Sequence, residues 1–195
     1  MTDGTTAGRL LRAHDRPATR WRNGGGVTRE VVAGPAEAGM EDFAWRVSLA
    51  DVAAGGPFSS FPGVDRIITV VDGPGMELTV DGVPHTVDAP YEPFAFPGDA
   101  VTDCRLLGGP LVDFNVMTRR SAATARLRLT REAFDVTPRA GSETLVIVLA
   151  GTATAAESGV TLDRFDAVLF PEDGADTFHV DGVAAVVTVA PAAGA

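Results

Sequence analysis

The chain has 195 residues and a formal net charge of −10, with 45% hydrophobic and 22% charged residues, a balance typical of one large or two small globular domains and not of a disordered chain. Every basic residue is an arginine, and no basic cluster offsets the acidic charge, so we expect no nucleic-acid partner. The single cysteine, Cys104, excludes an intramolecular disulfide, and because no apolar leader or membrane-length run occurs, we expect a cytoplasmic protein without a membrane partner.

Alternation of apolar and polar residues predicts strands along most of the chain. In residues 43–49, one face carries Phe43, Trp45, Val47 and Leu49, and the other carries Arg46 and Ser48. The same pattern predicts further strands at 76–80, 84–87, 112–117, 125–130, 144–149 and 183–189. Residues 35–42 are expected to form at most one helical turn. The predicted fold class is therefore all-β.

Two segments share one order of features, which predicts an internal repeat. The segments from Gly73 to Asp99 and from Gly151 to Asp173 each contain a glycine turn, a hairpin and a Phe-Pro-acid corner. The repeat predicts two antiparallel jelly-roll β-barrels, an N-terminal one in residues 1–125 and a C-terminal one in residues 126–195. This division leaves open that the N-terminal strands cross over and pair with strands of the second barrel. Chance recurrence of such turns in an all-β protein is the alternative.

Several motifs resemble the HutD/Ves family of small bicupin proteins. They lie in residues 45–52 (WRVSLADV), 56–66 (GPFSSFPGVDR), 72–73, 21–30 (WRNGGGVTRE) and 113–117 (DFNVM), and the likeness spans roughly residues 10–120. The resemblance implies a bicupin fold and a bacterial protein associated with histidine utilisation, with formylglutamate or urocanate as suggested ligands. It implies fold more firmly than function.

The sequence lacks the ligands of a cupin metal centre. When the final glycine of the cupin motif is aligned on Gly73, Arg66 falls where a metal-binding glutamate would stand, and no histidine occurs near Val101, where the second motif requires one. His14, His85 and His179 share no ligand spacing. We therefore expect neither a metal nor another cofactor.

Nucleophilic catalysis and phosphate binding find little support either. Cys104 has no neighbouring histidine in the sequence and is expected to be buried and inert. The glycine-rich residues 21–26 lack the Lys-Ser/Thr pair of a phosphate-binding loop.

Polar residues on the predicted strands outline a candidate ligand site. Arg46 and Ser48 share one face of their strand, and Asp113 and Asn115 share one face of theirs. Because a buried arginine needs an anion, Asp113 is a candidate partner of Arg46 or Arg66, and an internal pair or an exposed polar face remains the alternative. Given the family resemblance, we favour a carboxylate pocket, lined by Trp21, Asn23, Arg46, Ser48, Phe61, Arg66, Asp113 and Asn115. Trp45 and Phe58 are assigned to packing instead.

Three hypotheses of function follow. The leading one is a metal-free protein that binds a small carboxylate metabolite and has a regulatory or buffering role in histidine utilisation, as the resemblance implies. The second is a metal-independent isomerase or hydrolase with Asp113 as general base and Arg46 or Arg66 stabilising negative charge. The third is a protein-docking role for the second barrel. The sequence leaves the oligomeric state open, a homodimer included.

Overall fold

The computed structural model describes residues 8–193, and over this range the chain is all-β, with one 3-10 turn at Ala13–Asp15 and no α-helix. The predicted strands are confirmed, each inside or within two residues of an observed strand. Residues 35–42 contain turns and no helix, in keeping with the expectation of at most one helical turn. Glu37 has a φ of 66°, and the Asp42 carboxylate accepts the backbone N–H of Gly39, a local side-chain contact that competes with helix formation. No helix in the described range is long and apolar enough to cross a membrane.

The described chain divides into two compact units. The N-terminal unit consists of residues 16–123, and the C-terminal unit consists of residues 8–15 together with 124–193.

A six-stranded antiparallel sheet forms one side of the N-terminal unit. Its strands, in spatial order, are β2 (Ala18–Arg20), β3 (Gly26–Gly34), β4 (Trp45–Val52), β11 (Leu111–Arg119), β6 (Val64–Asp72) and β9 (Pro93–Pro97). A second, four-stranded sheet contains β5 (Gly56–Pro57), β10 (Thr102–Leu106), β7 (Met76–Val80) and β8 (Val83–Val87). Apolar side chains of the two sheets form one core cluster, in which Ile68 and Val70 of β6 meet Met76 and Leu78 of β7.

The C-terminal unit contains one seven-stranded sheet. Its central path is β1 (Arg9–Leu11), β16 (Ala167–Phe170), β14 (Glu143–Ala155), β17 (Asp176–Pro191) and β12 (Ala123–Thr130), with β13 (Phe134–Val136) on β17 and β15 (Thr161–Leu162) on β14. The first strand therefore pairs with a strand more than 150 residues later. Next to it, the Arg12 guanidinium donates to the Asp166 carboxylate at 2.6 Å, and Ala13 N–H donates to the other oxygen at 2.7 Å.

The two segments of the sequence repeat occupy similar places in their own sheets. In the N-terminal unit, β6 pairs with β9 and with β11. In the C-terminal unit, β14 pairs with β16 and with β17. Gly73 and Gly151 both have positive φ, at 90° and 69°. The hydrogen-bonded paths of the three sheets in residues 8–193 have free ends. The observed fold class is therefore all-β, and these sheets do not close into barrels.

Candidate functional site

Strand register brings five of the predicted site residues onto one face of the six-stranded sheet. Strand β11 lies between β4 and β6, and Asn115 is opposite Ser48 on one side and Ile68 on the other. Met117 is opposite Arg46 and Arg66. Since side chains alternate with period two, Asp113, Asn115, Ser48, Arg46 and Arg66 share a face.

This face points into the core of the N-terminal unit. Asp113 is flanked by Ala50 on β4 and Val70 on β6, and both apolar residues belong to the core cluster shared with the four-stranded sheet. Asp113 and Ser48 are each 2% exposed, and Arg66 and Asn115 are each 7% exposed. Buried polar side chains normally have hydrogen-bond partners. The partners of these four side chains therefore indicate whether their role is structural or functional.

Arg66 has no anionic partner in the part of the chain that the structure describes. No carboxylate of residues 8–193 forms an ion pair with it within 4.0 Å, and its Nε has no hydrogen-bond acceptor. Its guanidinium instead lies over three aromatic rings, at 5.0 Å from the centroids of Phe58 and Phe96 and 5.8 Å from that of Phe61. Burial lowers the pKa of Arg66 to about 10, an effect that Asp113 opposes and Arg46 reinforces. Contacts with aromatic faces compensate only part of the cost of a buried cation.

Asp113 and Asn115 carry acceptors without donors. The Oδ1 atoms of both side chains are buried and have no hydrogen-bond partner in the described part of the chain. Burial raises the pKa of Asp113 to about 7; the positive charge of Arg66 opposes the rise, and the negative charge of Asp51 adds to it. Because removal from water disfavours the carboxylate, Asp113 changes its charge near neutral pH.

Arg46, by contrast, has a carboxylate partner. Its Nε donates to Glu30 on β3 at 2.7 Å, and its Nη1 donates to the Ser48 hydroxyl at 3.4 Å. The interpretation of Asp113 as the partner of Arg46 is therefore wrong. The β3–β4 register shifts between Glu30 and Val32, and Glu30 lies opposite Ser48. From this position its side chain reaches Arg46, which is two residues from Ser48 on β4.

The three predicted rim residues lie in different surroundings. Phe61 lies beside the Arg66 guanidinium, and its N–H donates to Gly98 O at 2.7 Å. Trp21 Nε1 donates to the Thr28 hydroxyl at 2.7 Å, and Thr28 is opposite Ala50 in the β3–β4 pair. Asn23 is exposed, and its Oδ1 accepts the N–H of Gly25 at 3.0 Å, so its visible role is to stabilise a turn.

Three contact residues were outside the sequence-derived set. Phe58 packs against the core cluster, as expected, and its ring also lies 5.0 Å from the Arg66 guanidinium. Phe96 is directly opposite Arg66 in the β6–β9 pair. Glu30 neutralises Arg46. The Phe-Pro-acid corner that contains Phe96 was visible in the sequence, but its register against Arg66 was not.

The loop that carries Phe61 is attached to the sheet at Arg120, whose backbone N–H donates to Gly63 O at 2.9 Å. Arg120 donates to both oxygens of Asp99, at 2.6 and 3.0 Å, and to Asp65 at 2.6 Å. The hydrogen bond from Arg120 lowers the pKa of Asp99 to about 2. Asp65 is therefore bound by Arg120 on the exposed side of β6.

The donor set of this interior does not fit a metal ion. Two cations, Arg46 and Arg66, occupy the face, and residues 8–193 contain no cluster of three His, Cys, Asp or Glu side chains that would hold a metal. Cys104 is buried, with its Sγ 3.6 Å from Met76 Sδ, and burial raises the pKa of its thiol to about 11. It is therefore poorly suited as a nucleophile.

Two cavities elsewhere have the wrong chemistry for an anion. One of about 180 Å³ is lined by Asp51, Asp72 and apolar residues near the start of β11. The other, of about 310 Å³ in the C-terminal unit, has mainly apolar walls that include Phe170 and Phe178, with Glu157 and Asp176 among its polar residues. Neither lining contains an arginine.

Comparison with known proteins identifies relatives in both sequence and structure. The HutD family model matches residues 13–188. An uncharacterised 21.2 kDa protein in the hutC 3' region of Pseudomonas putida is 44% identical over 140 residues, 72% of this chain and 71% of the relative. Protein Ves of Citrobacter koseri is 37% identical over 150 residues, 76% of each chain.

Solved structures also include a HutD protein to which this chain is similar. HutD from Pseudomonas fluorescens SBW25, in a structure named for a formate condition, is 34% identical with a TM-score of 0.83, covering 96% of this chain and 100% of its own. A cupin 2 conserved barrel domain protein from Leptotrichia buccalis is 9% identical with a TM-score of 0.60, over 96% and 98% of the chains, a likeness of fold alone. The fold is thus cupin-like, the resemblance read from the sequence is confirmed, and the chain belongs to the HutD family.

Proposed function

We propose that this protein binds a small carboxylate metabolite, without a metal, in the interior of its N-terminal unit, and that it has a regulatory or buffering role in histidine utilisation. The observation that carries the proposal is Arg66, a buried guanidinium that lacks an anion and is enclosed by three phenylalanines. A ligand carboxylate would supply the missing charge and accept from Nε.

The neighbouring groups leave one positive charge for a ligand to compensate. Arg46 adds positive charge on the same face but is already paired with Glu30, so one cation remains uncompensated. Ser48, Asp113 and Asn115 supply polar atoms for orientation. The proposed pathway comes from the relatives: one is named for the hutC 3' region and another is HutD. Formylglutamate and urocanate are accordingly the first metabolites to test.

Substitution of Arg66 tests the proposal. A thermal-shift and calorimetric screen of small carboxylates, from formate to formylglutamate, identifies a ligand through its stabilisation of the folded state. Arg66→Ala should then weaken binding about ten- to a hundredfold, the effect of losing a hydrogen bond between charged groups. Arg66→Lys should retain part of the affinity.

The matched control is Arg105→Ala, which removes an exposed arginine of the same unit, with a side chain 64% exposed. It should bind like the parent. Equal affinity of the Arg66 and Arg105 variants would place the ligand elsewhere and refute the proposal.

A metal-independent enzyme is the second candidate, and the observation that favours it is the pKa of Asp113, raised to about 7 by burial. Such a carboxyl can act as a general base at neutral pH, and Arg66 would stabilise the negative charge that develops. Incubation with urocanate and formylglutamate, followed by product analysis, separates the candidates. Conversion that is abolished by Asp113→Asn would favour the enzyme.

The proposal also includes the architecture and partners predicted from the sequence. Each unit would be one cupin domain, giving a bicupin, and the similar pairing of β6–β9 and β14–β16 supports this. The cytoplasmic location, the lack of nucleic-acid and membrane partners, a homodimer and protein docking on the C-terminal unit stay predictions.

A further inference from the structure

We propose that the ligand of this site carries, besides its carboxylate, an N–H donor that Asp113 and Asn115 accept. This inference rests on the proposed function and narrows the ligand to carboxylates with an amide, ureido or similar nitrogen.

The unpartnered atoms define a complementary pattern. Within residues 8–193, Arg66 Nε is a buried donor without an acceptor, and the Oδ1 atoms of Asp113 and Asn115 are buried acceptors without donors. A carboxylate satisfies the first atom only. Because each unpaired buried polar group is costly, a ligand that lacks a donor would leave two acceptors desolvated inside the site.

The three groups are arranged in sequence along the sheet. Asp113 and Asn115 lie two residues apart on one face of β11, a spacing of about 7 Å, and Arg66 is opposite Met117, the next residue on that face. An elongated ligand with its carboxylate at Arg66 would therefore direct its other end towards Asn115 and Asp113. That order assigns anion binding to one end and donor recognition to the other.

The charges around Asp113 determine when it acts as an acceptor. Arg66 favours its carboxylate form and Asp51 opposes it, while Cys104 of β10 stays a neutral thiol. Above pH 7 Asp113 is a carboxylate that only accepts; below pH 7 it is a carboxylic acid that also donates. The preference for a ligand with an N–H donor over a ligand without one should therefore increase as pH rises.

Two isosteric probes test the inference. Succinamate and levulinate have one carboxylate and the same skeleton, but the amide NH₂ of succinamate is a methyl group in levulinate. At pH 8 the parent protein should bind succinamate at least about tenfold more tightly, and the preference should shrink at pH 5.5. Asp113→Leu should reduce the preference at pH 8 while levulinate still binds, and Asp103→Asn, an exposed carboxyl on β10, should leave it unchanged.

The outcomes separate this inference from the proposed function. Equal binding of both probes, or tighter binding of levulinate, would overturn the donor requirement and leave the carboxylate site standing. Binding of formate or acetate with neither probe bound would also overturn it. If no carboxylate of the panel binds, the proposed function fails and the inference fails with it.

Discussion

Arg66 illustrates how a single side chain can be unfavourable for folding and useful for binding. A cation 7% exposed without a carboxylate partner weakens the folded state, and its aromatic neighbours offer no negative charge. Functional sites commonly retain such local costs. The binding free energy of an anion would then include relief of this cost, which would favour the binding of small anionic ligands.

Asp113 should make stability depend on pH in a direction opposite to most carboxyl groups. Its pKa is raised to about 7 in the folded protein, above the ordinary value near 4 of an unfolded chain. Between these values the folded state holds the extra proton, so the stability that Asp113 contributes is complete below pH 4 and is lost as pH rises to 7.

Substitution isolates this effect. From pH 5 to pH 8, the unfolding free energy of Asp113→Asn minus that of the parent should rise by roughly 3 kcal/mol. The reason is that the parent loses 1.36 kcal/mol per pH unit up to pH 7 and the variant does not. Urea denaturation at both pH values measures it, with the exposed Asp103→Asn as control. Parallel pH profiles for parent and Asp113→Asn would contradict the assignment.

At this scale the sequence predicts which residues are polar on a strand, but not what surrounds them. Period-two alternation placed Arg46 with Ser48 and Asp113 with Asn115. It could not show that the two pairs and Arg66 face one interior, because that depends on the register between strands distant in sequence. For the same reason Glu30 and Phe96 were missed, and Asn23 was included although it stabilises its own turn.

The longest strand pair, β14 with β17, contains two glycines opposite each other. Gly151 and Gly182 are opposite each other, near a register shift between Val148 and Ala150, and have φ of 69° and 137°. A Cβ at Gly151 would lie 2.0 Å from Asp181 O. Only glycine permits this close approach of the two backbones.

Alanine at Gly151 should therefore be severely destabilising. Gly159 provides a matched control, since its φ of 68° is nearly the same but nothing lies within 4 Å of a Cβ there. Gly159→Ala should cost about 1–2 kcal/mol from backbone conformation alone, and Gly151→Ala at least about 2 kcal/mol more because of the clash. Urea denaturation of both variants checks this; equal losses would show that the backbones separate readily.

Elements were recognisable because alternation and turn residues are local signals. The partners of the strands were not, since β1 and β16 are separated by more than 150 residues, and nothing within either strand specifies the other. Sequence analysis accordingly left open whether the N-terminal strands cross to the second half. Hydrogen bonds of Asp166 to Arg12 and Ala13 help to fix the observed pairing.

For the whole molecule, the arrangement of charges predicts independence from metal. Protein purified without added metal should contain no stoichiometric transition metal, and a chelator should leave its thermal midpoint unchanged, because cations line the interior where a cupin metal centre needs His and Glu ligands. Elemental analysis checks the prediction. About one bound metal per chain would contradict it.

The all-β class followed from composition and alternation across the entire chain, and the motifs of residues 21–117 identified the family. Ligand identity did not follow, because it depends on three unpartnered atoms brought together by β6 and β11. Such a pattern exists only once the strands have paired.

Cys104 gives this protein an internal reporter of local opening. It is the only cysteine of the chain, it is 3% exposed, and it lies in the core of the N-terminal unit. An alkylating reagent can therefore modify the folded chain only during transient opening of that unit. The rate of thiol modification thus measures the opening equilibrium around the ligand site, and slower modification in the presence of a carboxylate would report its binding without any introduced label.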